Sequence, residues 1–215
     1  MPRQARSEAT RRRIVDAAVD LIGEIGYPAV GLGDIIERAA LTKGALYYHF
    51  DSKESLAVAI IAEGGANLLA TFHSISESNS PALENIIHGL FMVVDRVSTD
   101  PLTRTAAQLL RVFGGFSEVS RQVYAGWLAE MVGEVRRAST EGDLREGLDP
   151  GAVAETIVCA MLGAELLSGV DDDLRNRLTR MWQVLLPAVV ADESLDYFRE
   201  FLAREALRAP SPPAD

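Results

Sequence analysis

The sequence predicts an all-α fold of nine to ten helices, with three short helices at the N-terminus ahead of a longer helical body. Three observations predict it. Apolar residues recur along most of the chain with the 3.6-residue helical period. Helix start and stop residues punctuate those stretches in the right order. No alternating apolar–polar stretch longer than a few residues offers a strand, and no internal repeat is visible.

Ile14, Ala17, Ala18, Leu21, Ile22 and Ile25 form one apolar stripe, and Gly26 follows as a C-terminal stop. Leu32, Ile35, Ile36, Ala39 and Ala40 predict a second, shorter helix, interrupted at Leu41 and Thr42. Thr42 is an N-cap for a third helix over Lys43 to His49. Asp51 and Glu54 have capping-box spacing and open a fourth helix that carries Leu56, Ile60 and Ile61. Ser76 to Ser80 is a polar break. Ser80-Pro81 and Asp100-Pro101 then start two helices with proline near the first position, the second stopping at Gly114-Gly115. Ser117 to Ser139 predicts a long amphipathic helix. EGDLREGLDP is a surface loop, and Asp149-Pro150 opens an apolar helix to about Gly169. Two more helices follow, Asp171 to Val190 and Ser194 to Leu207. The tail 209–215, rich in proline, is expected to be disordered.

Composition narrows the class. With 215 residues and 48% apolar content, a sizeable core is possible. Cys159 is the single cysteine, so no intrachain disulfide can form, which suits a reducing cytoplasm. MPRQARSEAT contains no apolar signal core. Ala152 to Val170 is the most membrane-like stretch, but Glu155 and Glu165 interrupt it and it reads as a buried helix. The net charge of −10 is unevenly spread: residues 1–56 carry eight basic and eight acidic groups, the remainder thirteen and twenty-three. Arg3, Arg6, Arg11, Arg12 and Arg13 face only Glu8 in the first thirteen residues, and both lysines, Lys43 and Lys53, lie in the first quarter. That asymmetry fits a DNA-reading head on an acidic body. No nucleophile motif, P-loop or dinucleotide fingerprint argues for an enzyme, and no cofactor is expected. His73 and His88 lack partners at metal-ligand spacing, so no metal site is expected either.

Leu32 to Phe50 has helix-turn-helix proportions. A short helix lies in the major groove only when a second helix braces it. Ile35, Ile36 and Ala39 give the bracing helix its inward face, and Ala45, Leu46 and Phe50 anchor the reading helix. Thr42, Lys43, Gly44, Tyr47, Tyr48 and His49 then face outward, where they can donate to phosphates and base edges. Gly44 lets the backbone approach, and Lys53 at the start of the fourth helix is within reach of a phosphate. His49 has a second reading as a structural histidine.

Thr42-Lys-Gly-Ala-Leu-Tyr-Tyr-His-Phe50 with Ser52-Lys-Glu-Ser-Leu56 closely resembles the DNA-binding head of the tetracycline-repressor (TetR) family. Arg13-Ile-Val-Asp-Ala-Ala18 and Gly26-Tyr27 match upstream, so the resemblance spans roughly residues 8–64. It implies a three-helix head over residues 1–50 and a homodimer whose linking helix, sensing body and dimerisation surface occupy 51–208. It also implies that Thr42, Lys43, Gly44, Tyr47, Tyr48, His49 and Lys53 face DNA. One departure stands out. The family usually has a serine or threonine at the start of helix two, whereas this chain reads Val30-Gly-Leu-Gly-Asp34. Backbone N–H groups would have to replace the hydroxyl, with Arg11, Arg12, Arg13 and Arg38 as compensating cations.

The body offers an apolar interior with few polar groups, the usual makeup of a small-molecule pocket. Trp127, Leu109, Phe113, Met131, Val158, Met161 and Leu162 are its candidate lining; for each, plain core packing is the alternative. A second resemblance, to the γ-butyrolactone-receptor branch of the family, rests on Trp127, Thr156 to Gly163, Met181 to Leu186 and Pro2 to Arg6, and implies that Trp127 lines the pocket. Helices 150–169 and 172–190 are more apolar than one exposed face permits, so they either pair two subunits or include a central buried helix. Together these features predict a cytoplasmic, ligand-responsive repressor that binds a palindromic DNA operator as a homodimer and is released by a small apolar or lactone-like effector.

Overall fold

The structure, a computed structural model, describes residues 2–76, 80–114, 117–167 and 174–208. Part of the break after Ser76, the Gly115 stop, the helix start at Asp171 and the 209–215 tail fall outside the described residues. Ten α-helices follow in order: α1 Pro2–Ile25, α2 Leu32–Arg38, α3 Lys43–His49, α4 Lys53–Ser76, α5 Ala82–Thr99, α6 Pro101–Phe113, α7 Glu118–Glu141, α8 Pro150–Leu167, α9 Leu174–Val189 and α10 Leu195–Leu207. A 3₁₀ turn, Tyr27–Ala29, separates α1 from α2. Two compact units result, one from residues 1–67 and 97–123, the other from 68–96 and 124–215.

In the first unit α1 packs against α2, α3 and α6. Its stripe buries Ile14, Ala17, Ala18, Leu21 and Ile22, while Ile25 at the end of the stripe is exposed. Ile35 of α2 and Leu46 of α3 are each 1% exposed or less, and Phe50 is buried just beyond α3. The second helix ends at Arg38 with Ala39 as its C-cap, earlier than the stripe suggested. Ala40 takes φ +49°, Leu41 N–H bonds to Ile36 C=O at 3.1 Å, and Ala40 N–H bonds to Glu37 C=O at 3.0 Å. This is a Schellman ending with alanine in the left-handed position that glycine usually fills. Arg13 donates to the freed carbonyls of Ala39 (2.5 Å) and Ala40 (3.4 Å). The capping pair of α4 is Ser52 and Ser55, not Asp51 and Glu54: Ser55 N–H donates to Ser52 Oγ at 3.0 Å and Ser52 N–H to Ser55 Oγ at 3.1 Å. Serine hydroxyls are short enough to serve both ends of that turn. Gly64 and Gly65 let α4 approach its neighbours closely. A Cβ on Gly64 would overlap the Ala106 methyl and stand 3.0 Å from Leu102 C=O, and one on Gly65 would stand 2.9 Å from Val123 Cγ2.

In the second unit α9 packs against both α8 and α10. Trp182, Leu178 and Leu186 of α9 are fully buried, as are Ile86, Ile87 and Val94 of α5. Arg175 bonds to Asp95 Oδ1 at 2.5 Å and to Glu205 C=O at 2.7 Å, which ties α5, α9 and α10 together. His88 Nδ1 lies 2.8 Å from Glu205 Oε2. By length and composition α4 and α8 could each cross a bilayer. The expectation that α8 is a buried helix does not hold within one chain. Only Val153, Ala154 and Ile157 of it are buried, while Leu162, Leu166 and Leu167 are 37, 67 and 68% exposed. A helix apolar on every side has more such surface than packing on one side against α9 covers.

Candidate nucleic-acid interface

The helix-turn-helix is assembled by burial on one side of α3 and capping at its start. Leu46 and Phe50 turn into the core, so the 100° step between residues leaves the positions between them facing out. Thr42 Oγ1 accepts the Ala45 N–H at 3.2 Å and fixes where α3 begins. Thr42, Lys43 and Gly44 are exposed. Nothing lies within 4 Å of the place where a Gly44 Cβ would stand, so the backbone is open to an approaching surface. Tyr47 and Tyr48 are 43 and 76% exposed. Lys43 Nζ sits 5.7 Å from the Tyr47 ring centroid, and the His49 ring stands edge-on to Tyr48 with centroids 5.0 Å apart. These six residues form one face of hydrogen-bond donors.

Several other residues expected to face DNA have partners within the chain. Lys53 points inward: Nζ donates to the carbonyls of Tyr27 (3.0 Å) and Val30 (2.9 Å) and lies 4.4 Å from the Tyr27 ring centroid. The 3₁₀ turn ends in carbonyls that a helix would have satisfied, and the ammonium serves them. Arg11 donates to Glu63 Oε2 at 3.3 Å and packs over the Phe50 ring, and so ties α1 to α4. Arg38 makes a two-pronged pair with Glu24, at 2.9 and 2.8 Å, which holds that carboxyl below its usual range. Arg13, as noted, is bound to the α2 ending. Of the proposed compensating cations, Arg12, Arg13 and Arg38 are all exposed; Arg12 lies near Asp16, and the other two are engaged as just described.

At the start of α2 the N-cap is Gly31, which has no hydroxyl to accept an N–H of the first turn, and only the other half of a capping box forms. Asp34 Oδ2 accepts the Gly31 N–H at 2.9 Å, the carboxylate half of a capping box. That N–H is therefore not free for a phosphate. The segment expected to be an arginine-rich arm is helical and continuous with the rest of α1. It places Arg6, Ser7 and Thr10 beside Ala45, Tyr48 and His49 across a shallow groove of 280 Å³. Sequence reading passed over Ser7 and Thr10, because no local pattern marks two hydroxyls as neighbours of a helix forty residues away.

The effector candidates divide between the two units. Leu109 is fully buried in the first, and Phe113 meets Tyr27 edge-on there, with ring centroids 5.3 Å apart. Burial and the nearby Glu54 carboxylate push the Tyr27 hydroxyl above its ordinary pKa. In the second unit Met131 is fully buried and Trp127 packs against Phe72, with centroids 5.6 Å apart. Val158 and Met161 are half-buried. Leu162, on the exposed side of α8, is a poor lining residue within one chain: it is turned away from the buried face that carries Val153, Ala154 and Ile157. Among the described residues no cluster of three or more His, Cys, Asp or Glu could hold a metal ion.

Residues 14–60 match the model described as bacterial regulatory proteins, tetR family, and residues 101–185 match the tetracyclin repressor-like C-terminal domain. The chain is 30% identical over 192 residues to the A-factor receptor protein of Streptomyces griseus, covering 88% of this chain and 67% of that protein. It superposes on a crystal structure of a gamma-butyrolactone receptor (ArpA-like protein) with TM-score 0.79, at 26% identity over 94% of this chain and 98% of the other. For CprB of Streptomyces coelicolor in complex with its biological operator sequence the TM-score is 0.75, at 28% identity over 93 and 97%.

Proposed function

Since the chain belongs to the tetR family of bacterial regulatory proteins, we propose that it is a ligand-responsive transcriptional repressor that binds a palindromic operator as a homodimer in the cytoplasm. The observation that carries this reading is the donor face of α3, Thr42 to His49, anchored by Leu46 and Phe50 and opposed by no carboxylate of its own helix. Similarity to an operator-bound relative supports it. In this reading residues 1–50 read DNA, and 51–208 sense the effector and pair the subunits. The effector is a small apolar or lactone-like molecule, in keeping with the receptor relatives, and Trp127 and Met131 are its first candidate contacts.

Two heads read successive major grooves when they stand about 34 Å apart, one turn of B-DNA. Effector binding shifts the population toward a conformer whose heads no longer match that spacing. This requires unequal affinity for the two conformers, and the ratio of those affinities sets the size of the response. The test is a gel shift on the DNA upstream of the protein's own gene. Lys43→Ala and Tyr48→Ala are each expected to weaken binding roughly tenfold or more while effector binding is retained. Unchanged DNA affinity in both variants overturns the assignment of α3. Native mass spectrometry of the purified protein would reveal the class of any effector that co-purifies.

A further inference from the structure

We propose that the groove between the first turns of α1 and the end of α3 is a seat for a backbone phosphate of duplex DNA, with Arg6 rather than Lys53 supplying its cation. The inference rests on the DNA-binding reading above and adds a contact outside the reading helix.

The groove is lined by Arg6, Ser7, Thr10, Ala45, Tyr48 and His49. In a chain of net charge −10, none of these is acidic, and five carry a polar group suited to an anion or its surroundings. The guanidinium of Arg6 is exposed and pairs with no carboxylate among the described residues. Glu8, the acidic residue nearest in sequence, is 3.9 Å from Arg11 on a different line of the helix. The Thr10 hydroxyl donates to Arg6 C=O at 3.0 Å, which closes the helical turn that carries Arg6 and spends its proton there. Ser7, Tyr48 and His49 then remain, with Arg6, as the groups that can donate into the groove. Tyr48, 76% exposed, joins the groove to the donor face already described. A duplex lying on α3 therefore meets the groove at its flank, where a phosphodiester is the anion on offer.

The competing cation is committed elsewhere. Lys53 Nζ is held between the Tyr27 and Val30 carbonyls, under an aromatic ring. Pulling it out to a phosphate would strand those carbonyls. Lys53 is thus a strut between α4 and the turn before α2.

Salt dependence separates the two roles, because the slope of log affinity against log salt counts neutralised phosphates. Full-length protein would be titrated with a mixed-sequence duplex of about forty base pairs, between about 50 and 200 mM salt. Arg6→Ala is expected to bind roughly tenfold more weakly at the low-salt end, with a slope shallower by about one for each head engaged and an unchanged melting temperature. Arg6→Lys should restore most of the slope. Lys53→Met should lower the melting temperature and leave the slope at the wild-type value; Lys53→Gln, a milder change, serves if the methionine variant does not fold. A wild-type slope in Arg6→Ala, or a shallower slope in the folded Lys53 variant, overturns the proposal alone. Wild-type protein that binds the duplex with no salt dependence overturns the DNA-binding reading with it.

Discussion

At the scale of single residues, what a basic side chain does here depends on which carbonyl or carboxylate it meets first. Lys43 stays exposed beside Tyr47, while Lys53, ten residues on, is drawn into the fold by the carbonyls of Tyr27 and Val30. The two lysines look alike in sequence, and only the second has a 3₁₀ turn with unsatisfied acceptors within reach. Acidic groups follow the same logic. Burial pushes the Glu134 carboxyl above its ordinary pKa, against the pull of Arg137 and an Asn85 hydrogen bond. Its charged form is therefore disfavoured in the folded state. Wild-type stability should rise as pH falls through the raised folded value toward the unfolded value, and the deficit should be full above the folded value. Glu134→Gln is expected to be more stable than wild type near pH 7.5, and the difference should shrink toward pH 5. Thermal melts at the two pH values check this, and a difference that widens on acidification contradicts it.

Among elements, helix existence was legible and helix environment was not. Thr42, Asp100 and Asp149 cap α3, α6 and α8 as their sequence positions predicted, with side chains accepting N–H groups at 3.2, 3.2 and 3.0 Å. Caps are local, so a window of a few residues contains them. The role of Gly64 and Gly65 was invisible, because mid-helix glycine reads as a weak spot until the neighbouring helices are placed. In the fold those two glycines set how closely α4 meets α6 and the start of α7. Gly64→Ala gains up to about 1 kcal/mol of helix propensity. It also drives a methyl into Ala106 and against a backbone carbonyl, at about 1–3 kcal/mol. A net loss of stability is expected in chemical denaturation. A gain would mean that α4 and α6 can part without cost. By the same reasoning, Gly133, with nothing within 4 Å, accepts alanine freely.

For the molecule as a whole, the decisive feature is apolar surface that one chain does not cover. Leu166 and Leu167 of α8 and Val184 of α9 are 67, 68 and 74% exposed on two helices that pack together. If these helices pair two subunits, one of the two roles their apolar sequence allows, Leu166→Asp and Val184→Asp together should yield monomers in sedimentation velocity while helix content is unchanged. A dimer that survives both changes places the interface elsewhere. The sequence by itself determined the all-helical class, the order of the helices, the helix-turn-helix and the donor face from Thr42 to His49. Each of these is written in spacing over a few residues, through the 3.6-residue period and the chemistry of caps. Only the tertiary structure decided which cations are engaged within the chain, that Asp34 holds the Gly31 N–H, that the arginine-rich arm is the start of α1, and that α8 leaves apolar side chains uncovered within one chain. Those outcomes depend on partners distant along the chain. A guanidinium, an ammonium or an apolar helix face has no fixed role until folding settles which group reaches it first.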